Sequence, residues 1–309
     1  MRSTLPLTFS VCAILAAGRL LAAEQFPVPA TVAAGAKLTT VYADDKVFFE
    51  GPVWEPKTQK LYFTAFTRDN SQILYLDASG KVLLWLDHSE GVNGMYLSAD
   101  GRLLGAQGFA RRIVSYDLSP EGPRDTKVLC AAESIVKPND ICQAPDGAIY
   151  FTDPDFKALK DSAVYRVAPD GKGVKVITDM PAPNGVIASL DGRTLYVSDS
   201  HQKEWRAYPV NADGTVGPGR VFFKPDTPDD KDPDGMSIDE FGNLYFCGRG
   251  GVWAVSPDGK PMGLILIPEF CSNATFGGAD GKVLYITCDK KLYSIQMKVR
   301  GGQFVKKAS

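Results

Sequence analysis

The sequence predicts an all-β fold, a six-bladed β-propeller of four-stranded blades, and two observations support this. First, six short motifs recur with key residues at positions 50, 93, 139, 184, 234 and 273, so the gaps are 43, 46, 45, 50 and 39 residues. That period is the length of a propeller blade, about 40–50 residues. Second, each motif is followed by the same succession of short apolar strands and tight turns, and helix signals are scarce.

Each repeat opens on its motif and continues through an apolar strand, a turn and a second strand. The turns are rich in Asp-Gly, as at residues 145–147 (Pro-Asp-Gly), and this pair supplies the positive φ that a hairpin turn requires. The second strands are aromatic and β-branched, as at residues 149–152 (Ile-Tyr-Phe-Thr). The sixth repeat has three clear strands. We therefore predict that residues 36–42 supply its outer strand and close the ring, which removes free sheet edges.

The composition is that of an ordinary globular protein, with 309 residues of which 44% are hydrophobic and 23% charged. A net charge of −2 offers no basic face, so we predict no nucleic-acid partner. Beyond the first residues, no apolar run approaches the ~20 residues that a membrane span needs. The predicted partner is a small-molecule substrate, and no partner protein is predicted.

The first residues have the pattern of an export signal. Arg2 gives a positive start, Leu5 to Ala17 is a mainly apolar run, and Leu21-Ala22-Ala23 offers a small-residue cleavage site. The sequence therefore predicts a signal peptide over residues 1–23 and a single propeller domain over residues 24–309. The predicted location is periplasmic or secreted.

Five cysteines remain outside the predicted signal, and an odd number leaves at least one thiol without an internal partner. The chain has no C-x-x-C pair and only two histidines, His88 and His201, so no zinc pattern is present. Cys247, Cys271 and Cys288 are predicted to approach the same face of the propeller. One disulfide among these three is left open, since an oxidising compartment would permit it.

The motif residues themselves indicate a metal site. The innermost strand of each blade lines the central channel of a propeller, so residues that begin these strands gather at one end of it. Glu50, Asn139, Asn184 and Asp234 would contribute two carboxylates and two amides, whose charge of −2 balances one divalent cation. Ca²⁺ tolerates such mixed oxygen ligands best, with Mg²⁺, Mn²⁺ or Zn²⁺ as alternatives. Ordinary turn chemistry is the competing interpretation, because Asn-Gly and Asp-Gly pairs are common in turns.

The chain resembles the gluconolactonase/regucalcin (senescence marker protein) family. The resemblance covers about residues 45 to 295 and is carried, in the family's order, by these strings: Glu50-Gly51-Pro52-Val53-Trp54, Lys137-Pro138-Asn139-Asp140, Phe151-Thr152-Asp153-Pro154, Pro183-Asn184-Gly185, Tyr196-Val197-Ser198-Asp199, Pro233-Asp234-Gly235-Met236 and Phe276-Gly277-Gly278-Ala279-Asp280-Gly281. These motifs are specific for the family and much less specific for the substrate.

The resemblance implies a six-bladed propeller with one divalent cation, usually calcium, near the mouth of the channel. By this resemblance Glu50, Asn184 and Asp234 would be direct ligands, and Asp234 would double as the general base. Asn139 would be a fourth ligand, or it would hold water and substrate. Lys137 stands where some members carry an arginine that contacts the substrate, and it keeps the positive charge without the planar, bidentate fork.

Four further residues are candidates by position. Asn93 begins the inner strand of the second blade, where it could contact the substrate. Asp153 and Asp199 end second strands, which return to the same face, so they could support the metal ligands from behind. The alternative is that each only caps a loop. His201 could reach the rim for acid–base work, and a surface histidine without a role is the alternative.

These parts predict a metal-dependent hydrolase of a sugar lactone or related ester. A cation would polarise the lactone carbonyl and stabilise the developing oxyanion, while the Asp234 carboxylate takes a proton from the attacking water. No Gly-x-Ser-x-Gly elbow is present. Two alternatives stay open: phosphotriester hydrolysis at the same site, and a non-catalytic propeller that binds a small ligand or a partner protein.

Overall fold

The computed structural model describes residues 26–167 and 171–305, and the predicted export signal over residues 1–23 lies outside them. Within the described residues the chain forms 24 strands and one short 3-10 helix, Gly302–Phe304. The strands form six antiparallel sheets of four strands each. Consecutive innermost strands contact one another around the whole ring, including the last and the first. The predicted six-bladed β-propeller is confirmed.

Each blade runs from an inner strand at the channel to an outer strand at the rim. Blades one to three contain, in this order, β2 (Phe48–Glu55), β3 (Lys60–Phe66), β4 (Ser71–Leu76), β5 (Val82–Leu86); β6 (Val92–Leu97), β7 (Leu103–Gln107), β8 (Arg112–Tyr116), β9 (Thr126–Ala131); and β10 (Ile141–Gln143), β11 (Ile149–Asp153), β12 (Ala163–Val167), β13 (Gly173–Ile177). Blades four to six contain β14 (Pro183–Ala188), β15 (Thr194–Asp199), β16 (Glu204–Pro209), β17 (Arg220–Phe223); β18 (Met236–Ile238), β19 (Leu244–Gly248), β20 (Gly251–Val255), β21 (Pro261–Leu266); and β22 (Cys271–Gly277), β23 (Val283–Cys288), β24 (Lys291–Gln296), β1 (Thr39–Ala43).

Both ends of the described chain contribute to blade six, and this closes the ring. β1 pairs antiparallel with β24, with Thr39 opposite Ser294 and Ala43 opposite Lys291. The strand predicted over residues 36–42 is thus confirmed, although it begins at Thr39. Because the first strand of the propeller completes the last blade, the inner faces of all six blades are held around the channel and no blade is left half-covered.

The hydrophobic core lies between neighbouring blades, where large aromatic side chains of adjacent sheets meet. Trp205 of blade four stacks on Phe246 of blade five with ring centroids 4.9 Å apart. Trp54 of blade one stacks on Tyr285 of blade six at 5.9 Å. Such pairs bury large apolar areas that a single four-stranded sheet would leave exposed to water. A blade is therefore stable only beside its neighbours.

The hairpin turns predicted between first and second strands are confirmed. Gly147 and Gly192 have φ values of 88° and 71°, in the left-handed region that favours glycine. The preceding aspartate stabilises the turn, since the Ala148 N–H donates to Asp146 Oδ1 at 3.0 Å. These turns set the position of each inner strand relative to the rest of its blade.

Two further features concern the described residues as a group. No helix in the ranges 26–167 and 171–305 is long and apolar enough to cross a bilayer. Five cysteines in the same ranges are buried and carry free thiols: Cys130, Cys142, Cys247, Cys271 and Cys288.

Candidate functional site

The motif residues lie where the inner strands are irregular. In blade one the pairing of β2 with β3 shifts between Glu50 and Val53, and in blade four the pairing of β14 with β15 shifts between Pro183 and Val186. In blades three and five the inner strand begins only after the motif, at Ile141 and Met236. A bulge redirects the side chains beside it. The motif side chains are therefore released from the regular alternation of the sheet.

Glycine follows the motif residue in four blades because the neighbouring blade lies very close. A Cβ atom at Gly185 would lie 2.3 Å from the carbonyl oxygen of Asp234, and one at Gly235 would lie 2.0 Å from Cγ of Asn273. Neither glycine has a positive φ. At these two positions the turn interpretation does not hold. The absent side chain lets the backbone of the next blade approach Gly185 closely, and at Gly235 it leaves room for the side chain of Asn273.

Three carboxylates, Glu50, Asp140 and Asp234, are buried close together where these inner strands meet. Burial, then the charge of Asp140, raises the pKa of Glu50 to about 8. Burial raises the pKa of Asp140 to about 7. Burial, then the charges of Glu50 and Asp140, raises the pKa of Asp234 well above its usual range. Like charges in a dry site need protons or a cation to neutralise them.

An amide oxygen completes this cluster. The Asn184 side chain is buried, and its Nδ2 donates to Ser200 Oγ at 3.0 Å while that hydroxyl donates to the Pro233 carbonyl at 2.8 Å. The amide is thereby fixed, and among the described residues its Oδ1 has no hydrogen-bond partner. A buried, unpartnered oxygen requires an explanation, and beside Asp234 it suits a cation.

These side chains fit a hard divalent cation only if amide oxygen is counted. In the part of the chain that the structure describes, no three His, Cys, Asp or Glu side chains are arranged to hold a metal by themselves. Asp140 accepts hydrogen bonds from the Ile141 N–H at 2.9 Å and the Val186 N–H at 3.2 Å, one on each oxygen, which fix its carboxylate against the backbone. Together with Glu50 and Asp234, the Asn184 amide gives a donor set of two carboxylates and an amide, which is the ligand chemistry of Ca²⁺.

Asp140 is the member of the cluster that sequence reasoning missed. The third motif predicts a role for Asn139 and none for the residue that follows it. The sequence carries a signal for it, since Asp140 occupies the position where four of the other five repeats have glycine. A Cβ atom at Gly94 would lie 2.3 Å from Asp140 Oδ1, so the carboxylate fills the space that the neighbouring glycine leaves.

The other predicted site residues flank the cluster. Two backbone hydrogen bonds fix the position of Asn139. Its N–H donates to the Thr152 carbonyl at 2.9 Å, and its carbonyl accepts from the Gly94 N–H at 2.7 Å. Asn93 has a buried Oδ1 without a partner among residues 26–167 and 171–305. Lys137 is exposed. Within those ranges, no side-chain hydrogen bond or ion pair joins these three residues to the carboxylates.

Asp153 and Asp199 hold backbone segments around the site. Asp153 accepts from the N–H groups of Val136 at 2.9 Å and Lys137 at 2.6 Å, and so positions the segment that leads to Asn139. Asp199 accepts from the N–H groups of His201 and Gln202, both at 2.9 Å. Burial raises the pKa of both carboxyls. Both therefore cap loops, and in doing so Asp153 supports a segment with predicted substrate contacts.

A cavity of about 640 Å³ lies in the channel on the other side of the cluster. Asp140 and Asn273 line it together with the later residues of the inner strands and the segment 302–305. Glu50, Asn184 and Asp234 do not line it. Asn273 stands between the two regions, because its Nδ2 also donates to Glu50 Oε2 at 3.2 Å.

The raised carboxyl pKa values predict how stability depends on pH without metal. Between the ordinary pKa of Glu50, 4.5, and its folded pKa of about 8, the folded state keeps a proton that the unfolded state has lost. Raising the pH from about 5 to 8 should therefore lower the free energy of unfolding, on the order of a few kcal/mol. Denaturant titrations with chelator at several pH values measure this. Glu50→Gln should make the dependence weaker without removing it, since burial also raises the pKa of Asp140 and Asp234. Stability that rises with pH in the wild type would contradict the prediction.

Comparison with known proteins gives concordant matches. Residues 48–290 match the family model described as the SMP-30/Gluconolactonase/LRE-like region. A gluconolactonase of Zymomonas mobilis is 29% identical over 293 residues, covering 84% of this chain and 82% of the relative. A regucalcin of Danio rerio is 28% identical over 271 residues, covering 81% and 86%. The solved structure of a Xanthomonas campestris gluconolactonase superposes with a TM-score of 0.76 at 28% identity, covering 88% of this chain and 94% of that one.

Proposed function

The chain belongs to the SMP-30/gluconolactonase/LRE-like family, and from that premise we propose that it is a lactonase that opens a sugar lactone with the help of one divalent cation. Relatives named gluconolactonase, in sequence and in structure, support the reaction and the sugar-lactone class. The observation that carries the proposal is the buried cluster of Glu50, Asp234 and the unpartnered amide oxygen of Asn184.

Glu50, Asn184 and Asp234 would hold the cation, and Asn139 is the proposed fourth ligand. Ca²⁺ is the first choice because it accepts mixed carboxylate and amide oxygens without strict geometry. When bound, the cation would polarise the lactone carbonyl and stabilise negative charge on its oxygen. The Asn273 amide holds Glu50 Oε2, and Ser200 holds the Asn184 amide, so both ligands are oriented before anything binds.

The remaining chemistry falls to Asp234 and the residues that position the substrate. The Asp234 carboxylate accepts a proton from water as the water oxygen bonds to the lactone carbonyl carbon. The bond from that carbon to the ring oxygen then breaks, and the ring oxygen takes up a proton, which leaves a hydroxy acid. Asn93, Asn139 and Lys137 are proposed to orient the sugar hydroxyls, with Asp153 holding the backbone of Lys137 in place. Each lies on a segment that borders the cluster.

A panel of lactones tests the proposal. Aldonolactones and simple γ- and δ-lactones should be hydrolysed by the metal-loaded protein, and a phosphotriester in the same panel should be a poor substrate. Chelation should abolish hydrolysis and added Ca²⁺ should restore it, because in this proposal the cation is the group that polarises the lactone carbonyl. Product acid is measured by pH-stat titration. A metal-loaded protein that binds a lactone or sugar acid but leaves it unchanged would instead establish a binding module.

A further inference from the structure

Two cysteines face each other across one hairpin of blade six. Cys271 begins β22, Cys288 ends β23, and the two residues are direct partners in the antiparallel register. Their Sγ atoms are 3.0 Å apart. Direct partners in such a pair have Cα atoms about 4.5–5.5 Å apart, which lies inside the range that a disulfide spans. The backbone therefore already has the separation that a bond between these sulfurs requires.

We propose that Cys271 and Cys288 form a disulfide when the protein folds in an oxidising environment. The oxidant is a disulfide compound, such as oxidised glutathione, and the reaction is two exchanges. One cysteine thiolate first attacks the oxidant, forms a mixed disulfide and releases one thiol. The second cysteine thiolate then attacks the protein sulfur of that mixed disulfide and releases the other thiol. Two protein S–H bonds are lost, one S–S bond is formed, and the oxidant is reduced by two electrons to two thiols.

The time of bond formation follows from burial. Cys271 and Cys288 are almost completely buried in the core between blades five and six. Exchange needs a thiolate that the oxidant can reach. A hairpin not yet covered by blade five offers both sulfurs, whereas the finished propeller offers neither. The bond is thus expected to form during folding, and the folded, reduced protein should react slowly.

Cys247 is a third thiol nearby, but the strand register does not place it opposite Cys271 or Cys288. It lies in the same hydrophobic cluster, but on β19 of blade five, where its direct partner in the register is Val252. Cys271 lies in blade six, across the interface between two blades, so no strand register holds Cys247 opposite it. A bond between Cys271 and Cys288 joins residues that the sheet already holds in register.

The crosslink would brace the segment that orients Glu50. Ser272, next to Cys271, donates its hydroxyl to the Phe49 carbonyl at 2.8 Å, and Asn273 donates to the Glu50 carboxylate. A disulfide at Cys271 ties this segment covalently to the second strand of blade six. The proposed hydrolysis does not depend on the disulfide, so each proposal can be tested without the other.

Peptide mapping tests the proposal. The purified chain is reduced, unfolded and refolded in a buffer of oxidised and reduced glutathione. It is then unfolded again, alkylated and digested for mass spectrometry. We expect one crosslinked peptide pair joining Cys271 to Cys288, with alkyl groups on Cys130, Cys142 and Cys247. Cys247→Ser should keep the crosslink and Cys288→Ser should lose it. Alkyl groups on all five of these cysteines, or a crosslink to Cys247, would overturn the proposal.

A second measurement covers the case in which the serine variants fold poorly. Reductant present throughout refolding should lower the melting temperature of the wild type by about 5 °C relative to protein refolded with glutathione, since the bond constrains the unfolded chain. Equal melting temperatures for the two wild-type preparations would contradict a disulfide in the native hairpin.

Discussion

Replacing Asp234 by asparagine should lower kcat for lactone hydrolysis by roughly 10²-fold or more, the usual scale for the loss of acid–base assistance. Asparagine keeps an oxygen at the same place, so a cation ligand is retained, but the amide cannot accept the proton from water. Rates should be measured at a Ca²⁺ concentration that saturates the variant. Weakened metal binding then contributes nothing to the difference in kcat.

The control is Asp226→Asn, which changes an exposed aspartate in the loop that leads to Asp234. This variant should hydrolyse lactones at the wild-type rate. If Asp234→Asn also reaches the wild-type kcat once saturated with Ca²⁺, Asp234 is a ligand and not the base. His201 at the exposed rim would then be the next residue to replace.

Replacing Glu50 by glutamine should weaken Ca²⁺ binding by at least about 10²-fold. The change removes a full negative charge from a buried site, where one pair of charges 4 Å apart interacts by about 4 kcal/mol at an effective dielectric constant of 20. Glutamine has nearly the same shape, so packing is preserved. Calorimetric titration of Ca²⁺ into metal-free protein measures the affinity directly and requires no substrate.

Two further variants make the Glu50 result specific. Asn273→Ser removes the side-chain amide that donates to Glu50 Oε2 while Glu50 itself is kept, and loss of such a supporting partner typically costs 10–100-fold in metal affinity. Glu121→Gln removes a charge from an exposed glutamate that pairs with Arg124 on the surface, and it should leave the affinity unchanged. Wild-type affinity in Glu50→Gln would exclude Glu50 as a ligand.

The fold was predictable because a propeller blade is built from residues that are close together in the sequence. Its strands are consecutive in the sequence, its turns are marked by pairs such as Asp146-Gly147, and the motif occurs six times. Ring closure by β1 also followed from the sequence, since the sixth repeat lacked one strand and an unassigned strand preceded the first. Only the strand bounds moved by a few residues.

The cluster was predictable in part. Glu50, Asn184 and Asp234 were identified because they occupy one position of the repeat, and the structure brings all three inner-strand segments together. Asp140 was missed because its meaning depends on Gly94, 46 residues earlier, whose absent side chain makes room for the carboxylate. The choice of Cys288 as the partner of Cys271, rather than Cys247, likewise depends on the register of β22 with β23.

By itself, therefore, the sequence determined the number of blades, the order of the strands and the types of residue that begin the inner strands. Short-range patterns of apolar, turn and motif residues encode these properties. The tertiary structure alone decided which carboxylates share one buried space, which amide oxygen is left without a partner and why glycine follows the motif. These properties arise from contacts between different blades. Such contacts exist only after the ring has closed and the inner strands have come within a few ångströms of one another.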